Sequence, residues 1–539
     1  MSSTSSASDS SSLPSSTLSG GGDKKRTGGG DTGDEPKVLT LLEGNTATIL
    51  LNRPKALNAL DTEMIHMIEE ALKSTPPHSH VVLRGKGRAL CSGGDVMAVV
   101  TAANSKDPKV RQEALTFFKD EFQLDYQIAT LHQGKNPRIF VSVMDGITMG
   151  GGVGLSLHAP IRIATEKTLF AMPETGIGYF PDVGVTRCLA RLDGKVGQYL
   201  GMTGARISGE EAYLAGMATH FIPSSTISTA LQRLTSMPPN VSAAQLSETL
   251  DDYTVNPFDA SSNSKGPEIL SKSSLVGETR IALDYAFGQT SVEAVYSALQ
   301  DIASDSQETS SAHKLKSLGL TSIPESTRNW ASQTIKTLDS KSPRSLKVSL
   351  AAIHDARRFD IADAFRFDMR LATVFCDLSV GTDFFEGVTH TLTKDPKTGK
   401  RREGRANWNP ASLDKVVDKS VRDLFFGSIE EAKKQGLSID VPVLDKVQSV
   451  NRDRSAEKQK EEDLKGIGPL HWEKTHNVWA LPSEAECEAL REGSHPAAGN
   501  YELTEEEMVS TLRKVKGDRP GLEFKVKEWR NRRQEQKKK

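Results

Sequence analysis

A strand pattern runs straight into a block of glycines at residues 138–154, where "RIFVSVMDG" is followed at once by "ITMGGGVG". The first stretch is rich in β-branched and aromatic residues, as a buried strand is, and in the second no side chain screens the backbone. A helix that begins at such a turn presents free N–H groups and the positive end of its dipole to whatever lies in front of it. The same grammar recurs upstream. "TATILLNRP" reads as a strand closed by Pro54, and "DTEMIHMIEEALK" as a helix with Met64, Ile65, Ile68 and Leu72 on one face and Asp61 as N-cap. "HVVLRGKGRALCSGGD" then reads as a strand entering a second glycine turn, and downstream of the glycine block "GVGLSLHAPIRIAT" reads as a helix. Strand, turn and helix in repeating order predict an α/β core of parallel strands joined by crossover helices.

At 539 residues and 37% hydrophobic the chain exceeds one ordinary domain, and its texture divides it. Residues 1–36 are a Ser, Gly, Thr and Asp mixture with too few apolar side chains to offset the entropy of ordering, and read as a disordered tail. That tail lacks the apolar core of a secretory signal and carries Asp9 and Asp23 ahead of its first arginine, a poor match to a mitochondrial presequence. The α/β core reads over 37–235. Beyond it strand signals thin out, and "RIALDYAFGQTSVEAVYSALQ" is one of several stretches with helical periods, so 236–428 reads as a helical part that completes the domain.

Residues 429–539 read as a charged C-terminal extension with a basic end. From Thr511 onward 12 Lys and Arg stand against 4 Asp and Glu, a local charge of +8 suited to RNA or acidic surfaces. The whole chain carries only −2, which excludes a polyelectrolyte. No apolar run approaches the roughly 18 residues of a membrane span, so no membrane partner is expected. Cys91, Cys188, Cys376 and Cys487 lack paired spacing, which predicts free thiols and no structural zinc.

A glycine turn of this kind wants an anion, either a permanent phosphate or the transient oxyanion of an acyl group. Dinucleotide and phosphate-loop readings fail on spacing, because no G-x-G-x-x-G pattern with its following acid and no Gly-Lys-Ser/Thr ending occurs here. A serine-hydrolase elbow fails as well, since "GLSLH" lacks the second glycine around Ser156. The transient oxyanion is the better reading. The upstream turn "CSGGD" at 91–95 supplies the second N–H that a two-donor hole requires.

In this order, "NRPKALNAL", "KGRALCSGGD", "ITMGGGVG" and "MPETGIGYFPDVG" resemble the crotonase (enoyl-CoA hydratase/isomerase) superfamily, and within it the 3-hydroxyisobutyryl-CoA hydrolase branch. The likeness is dense over 38–219, returns at "SPRSLKVSL" and "DFFEGV" before Trp408, and leaves 429–539 outside. It implies a crotonase-like fold of strand-turn-helix units with a helical C-terminal part. The implied reaction is thioester hydrolysis of 3-hydroxyisobutyryl-CoA or a related short 3-hydroxyacyl-CoA, as in valine degradation. No metal or cofactor is implied, coenzyme A being part of the substrate.

The resemblance further implies an oxyanion hole from the backbone N–H groups of Ser92 and Gly151. It lines the coenzyme A path with Lys55, Ala56 and Leu57 and with Ser92, Gly93, Gly94 and Asp95. Glu174 matches the catalytic glutamate, Asp182 the second acidic site residue, and Glu121 a further acid of the substrate pocket. Where the hydratases carry another catalytic glutamate this chain has Gly154, which disfavours hydration of a double bond. The mitochondrial matrix is the implied location. Some fungal relatives are built into the small subunit of the mitochondrial ribosome, so ribosome or RNA contact through 429–539, with its Trp472, Trp479 and Trp529, is the alternative. Related folds form trimers or pairs of trimers; the oligomeric state here stays open.

Each residue also has a plainer reading. Glu174 lies between "LFAMP" and "TGIGYF", where an unpaired acid is costly, which favours function. It either activates water or attacks to form an anhydride that water opens. Asp182 binds the 3-hydroxyl or passes a proton, whereas Glu121 lies on an amphipathic stretch where a solvated face competes. Cys91 reads as a small buried hydrophobe and His158 as a satisfied core histidine. Arg53 either holds a phosphate of coenzyme A or caps a strand.

Overall fold

Gly44, at a φ of +57°, closes a hairpin between β1 (Val38–Glu43) and β2 (Thr46–Leu51), and that hairpin is the edge of the main sheet. The computed structural model describes residues 35–133, 137–259, 265–304, 310–320, 322–447 and 476–537. The tail expected at 1–36 lies almost wholly outside these residues, as does Trp472.

From β2 onward the main sheet is parallel, through β3 (His80–Gly85), β5 (Ile139–Met144), β7 (Ile161–Ala164) and β10 (His220–Phe221). A smaller sheet pairs β4 (Ala89–Cys91), β6 (Ile147–Met149) and β8 (Leu169–Ala171) in parallel and β9 (Ile207–Ser208) antiparallel. The main-sheet strands β3, β5 and β7 each hand the chain directly to a short strand of the second sheet. The two glycine turns follow β4 and β6, which are adjacent.

The helix α1 (Thr62–Ser74) buries Met64, Ile65, Ile68 and Leu72, and its Asp61 cap accepts the Met64 N–H. α2 (Val96–Ala103) follows the first glycine turn, and α3 (Pro108–Thr130) packs against both α1 and α2. α4 (Gly151–Leu157) follows the second turn and is shorter than its pattern predicts. "IRIAT" is not its continuation but strand β7: Pro160 cannot extend the helix, and the alternating isoleucines suit a pleated, buried strand.

Most helices of 236–428 share one apolar core with the sheets, while helix Ala243–Asp251 packs with Val141, Ile161 and Ile163 in a second. Helix Ile361–Cys376 packs on α3, and helix Asp383–Leu392 packs on the turn Glu174–Ile177. Residues 476–537 also join this core, a closer union than a charged extension suggests. Their apolar residues are few but spaced for helices, so Cys487, Leu490, Met508, Leu512, Val526 and Trp529 are all buried.

Buried polar ties fix the same segment. Arg162 donates to the carbonyls of Met217 (2.7 Å), Ala159 (2.7 Å) and His476 (2.9 Å), and its guanidinium also meets Asn477. Much of the basic end is consumed inside the molecule. Arg519 pairs with Asp251 (2.7 Å), Lys525 with Asp193 (2.7 Å) and Arg532 with Glu484 (2.6 Å). No described helix is long and apolar enough to cross a membrane.

Candidate active site

Glycine and acid meet residue by residue along α4 and the turn before it. A Cβ on Gly150 would lie 3.1 Å from the Glu174 Oε1. One on Gly151 would overlap the Glu121 carboxylate, and one on Gly154 would sit 2.7 Å from the Val183 Cβ and 3.0 Å from the Asp125 Cγ. Real Cβ atoms do not approach so closely. The glycines thus hold open the space that three carboxyl groups from two other segments fill. Gly93 of the upstream turn, at a φ of +119°, lies against the same block, its Cα 3.3 Å from the Cβ position of Gly150.

Glu174 opens a short 3-10 turn shortly after β8 and is buried, with Oε2 lacking a hydrogen-bond partner among the described residues. Burial first, then the neighbouring Asp182, push its carboxyl well above the usual range, while Lys341 pulls the other way. Asp182 is also buried, and desolvation raises it to about 7 against the lowering effects of its own backbone and of Tyr179. The Tyr179 ring packs on both Phe118 (5.5 Å) and Phe384 (4.5 Å), which also touch each other, and its hydroxyl approaches Asp182 without completing a hydrogen bond. Glu121 is 2% exposed, which removes the solvated-face reading. Its raised pKa comes from burial and then from Asp182.

Two further carboxyls belong to the cluster and escaped the sequence reading. Asp125 follows Glu121 by one helical turn of α3, fully buried, with neither oxygen hydrogen-bonded among the described residues. Asp368, from helix Ile361–Cys376, accepts the Gly184 N–H at 2.7 Å. It braces a turn in which Val183 is held at a φ of +53°, a costly region for a β-branched residue, while His158 Nε2 meets the Val183 carbonyl at 2.6 Å. His158 is the buried, hydrogen-bonded histidine expected, but it also shapes the turn that presents Asp182.

Burial of Asp125 beside Glu121 and Asp182 raises its pKa. The stability such a group contributes is complete below its unfolded value of about 3.9 and is lost as pH rises toward the folded one. Asp125→Asn removes that dependence. Between about pH 5 and about pH 8 the wild-type unfolding midpoint is expected to fall further than that of the variant, as thermal unfolding at both pH values will read.

The backbone donors are unequal. Gly151 stands at the first position of α4, where an N–H has no helical acceptor. Ser92, expected as its partner, is not free: its N–H donates to the Leu57 carbonyl at 3.1 Å. That bond ties the 91–95 turn to the 55–57 segment, the two pieces expected along the coenzyme A path. Leu60, three residues beyond that segment, bridges to Gly94 of the turn. Lys55 is exposed, and Asp95 with Met97, Ala98, Thr101, Ala102 and Val110 lines a cavity of about 740 Å³. Arg53 donates to the Ala59 carbonyl (2.8 Å) and pairs with Asp61 (3.2 Å), so it braces its own loop.

Cys91 is buried with its thiol pushed up to about 12, and all four cysteines are free. Among the described residues no group of three His, Cys, Asp or Glu is placed to hold a metal.

The fold and these motifs have known counterparts. The enoyl-CoA hydratase/isomerase family model matches residues 46–425. A small ribosomal subunit protein, mS47, of Neurospora crassa is 34% identical over 396 residues, covering 71% of this chain and 70% of that protein. A mitochondrial 3-hydroxyisobutyryl-CoA hydrolase of Xenopus laevis is 34% identical over 386 residues, 71% of this chain and 86% of the other. Among solved structures, a carnitinyl-CoA dehydratase of Mycobacterium thermoresistibile superposes with a TM-score of 0.56 at 28% identity, covering 73% of this chain and 98% of that one.

Proposed function

The chain belongs to the enoyl-CoA hydratase/isomerase family, and from that premise we propose that it hydrolyses the thioester of 3-hydroxyisobutyryl-CoA, or of a closely related short 3-hydroxyacyl-CoA, to the free acid and coenzyme A. The observation that carries this reading is the pairing of glycine backbone with buried acids. Glu121, Glu174 and Asp182 converge on the turn that offers the Gly151 N–H, and a glycine stands at 154 where a hydratase would carry its second glutamate. The hydrolase name of the Xenopus relative supports the same substrate and a mitochondrial location.

In the reaction the thioester oxygen takes up negative charge at the N–H of Gly151, the donor at the first position of α4. Such a donor contributes about 10²- to 10³-fold in rate. Glu174 either removes a proton from the attacking water or attacks the carbonyl itself, giving an anhydride that water opens. The carbon-sulfur bond breaks, and the thiolate of coenzyme A takes up the proton. Buried carboxyl oxygens without partners need a donor, and a 3-hydroxyl on the acyl chain supplies it. Glu121, whose Oε1 lacks a partner among the described residues, takes that role in this reading, and Asp182 takes it on the family resemblance. The site's own residues perform every step without a metal or cofactor.

A second reading follows from the Neurospora relative: a structural component of the small subunit of the mitochondrial ribosome. Retention of Glu174 and Asp182 favours catalysis, and the pairing of Arg519, Lys525 and Arg532 within the molecule leaves less of the basic end to meet RNA.

Release of free thiol from 3-hydroxyisobutyryl-CoA by the full-length protein tests the first reading, with hydration of crotonyl-CoA as the competing assay. Fast thiol release with slow hydration is expected. Hydration at a comparable rate would make the protein a hydratase, and co-sedimentation with mitochondrial small subunits in the absence of thiol release would favour the second reading.

A further inference from the structure

The charged side chains that act most on Glu174 are two acids, Asp182 and Glu121, and one base, Lys341. Lys341 lies in the turn between helices Glu325–Asp339 and Pro343–Ala356, far from Glu174 in sequence and in the helical part of the chain. Its Nζ is 3.3 Å from the point a Cβ on Gly176 would occupy, so the amine lies on the turn that carries Glu174. The neighbours on either side fix it there. Ser342 donates its N–H to the Thr175 carbonyl (3.1 Å) and its hydroxyl to Asp383 (2.6 Å), while the Ser340 carbonyl accepts the Trp408 indole N–H (3.2 Å). Thr175 is itself anchored through its hydroxyl to the Met202 carbonyl at 2.9 Å.

On the reading of Glu174 as the catalytic carboxylate, on which this inference rests, we propose that Lys341 is a positioning residue: its ammonium, clamped against the Glu174–Ile177 turn, holds Glu174 in the charged form that either route of hydrolysis requires. A buried carboxylate among acids is otherwise forced neutral, and a fixed cation on the same turn opposes that. Burial, then Asp182 and Glu121, favours the neutral form, and Lys341 favours the charged one.

The surroundings do not supply a substitute. Burial, and to a lesser degree the charge of Arg206, lowers the pKa of Lys341, while Glu174 raises it. On helix Asp383–Leu392, Asp383 is engaged by Ser342, by the Asn409 N–H and by the charge of Arg344. Tyr199, on helix Val196–Thr203, packs its ring on Phe287 (5.3 Å) and Trp330 (6.0 Å).

Lys341→Met and Lys341→Arg test the proposal in the full chain. In Lys341→Met the acid limb of kcat/KM for thiol release is expected to move up by about 1 pH unit, a loss of about tenfold on the acid side that vanishes at high pH. Lys341→Arg is expected to keep the wild-type limb. A loss equal at every pH, or an unmoved limb, would overturn the proposal. A readout independent of turnover keeps the two readings apart: the carboxyl ¹³C resonance that disappears in Glu174→Gln reports the titration of Glu174 directly. If that resonance titrates higher in Lys341→Met while no thioester is hydrolysed, the contact stands and the hydrolase reading falls. If it does not move, Lys341 has no such role.

Discussion

Replacing Glu174 with glutamine is expected to lower thioester hydrolysis by about 10²- to 10⁴-fold, the range that a positioned base contributes. Glutamine keeps the shape of the side chain, so the contact with Gly150 survives and the fold is unaffected. What is lost is the ionisable oxygen, now without a partner, that both routes use. Because the residue acts on the reacting carbon and not on the coenzyme, KM is expected to change little while kcat collapses. Asp182→Asn is expected to differ in kind. If Asp182 holds the 3-hydroxyl, its replacement raises KM for hydroxylated substrates and leaves the non-hydroxylated analogues nearly unchanged. Steady-state thiol release, with circular dichroism to verify the fold, reads both variants.

The second large effect lies far from the site. Trp529→Ala is expected to destabilise the protein by about 3–5 kcal/mol, the cost of emptying a well-packed aromatic position. Trp529 is 1% exposed and belongs to the same core as the sheets and helices of the catalytic part. The Tyr213 hydroxyl also donates to the Pro520 carbonyl (2.7 Å), and Lys525 reaches both Asp193 and the Leu214 carbonyl. A loosely docked extension would lose under about 0.5 kcal/mol on the same substitution, the typical cost of a surface change. Urea unfolding measures the difference. It follows that deleting the C-terminal segment is a poor test of ribosome binding, because the truncated chain exposes core.

The elements that carry the site were legible where local chemistry fixes them. The Asp61 cap and the apolar face of α1 are set by helical spacing, and the glycine turns by the absence of side chains. Glu174 and Asp182 stood out because acids in apolar surroundings are rare. The misreading at residues 161–164 came from treating an apolar run as helical when Pro160 and the isoleucine alternation point to a strand.

Asp125 left a signal that went unused: it follows Glu121 by four positions and so shares its helical face. Asp368 and Lys341 left none, because nothing local says that a helix near residue 368 braces the Asp182 turn or that a lysine at 341 reaches Glu174. Those relations exist only once the helical part has closed over the sheets. The Ser92 amide was misjudged for the same reason, since its bond to Leu57 joins two segments far apart in sequence. The C-terminal segment hid its packing behind its charge, its few apolar residues being outnumbered in composition but aligned in space.

The most direct test of the account compares kcat/KM for thiol release from 3-hydroxyisobutyryl-CoA with that from isobutyryl-CoA, which lacks only the hydroxyl. Buried acids that need a donor should reject the analogue that cannot supply one, with a discrimination on the order of 10⁴. Equal rates on the two esters, or no thiol release from either by the folded protein, would contradict the role assigned to this cluster of acids.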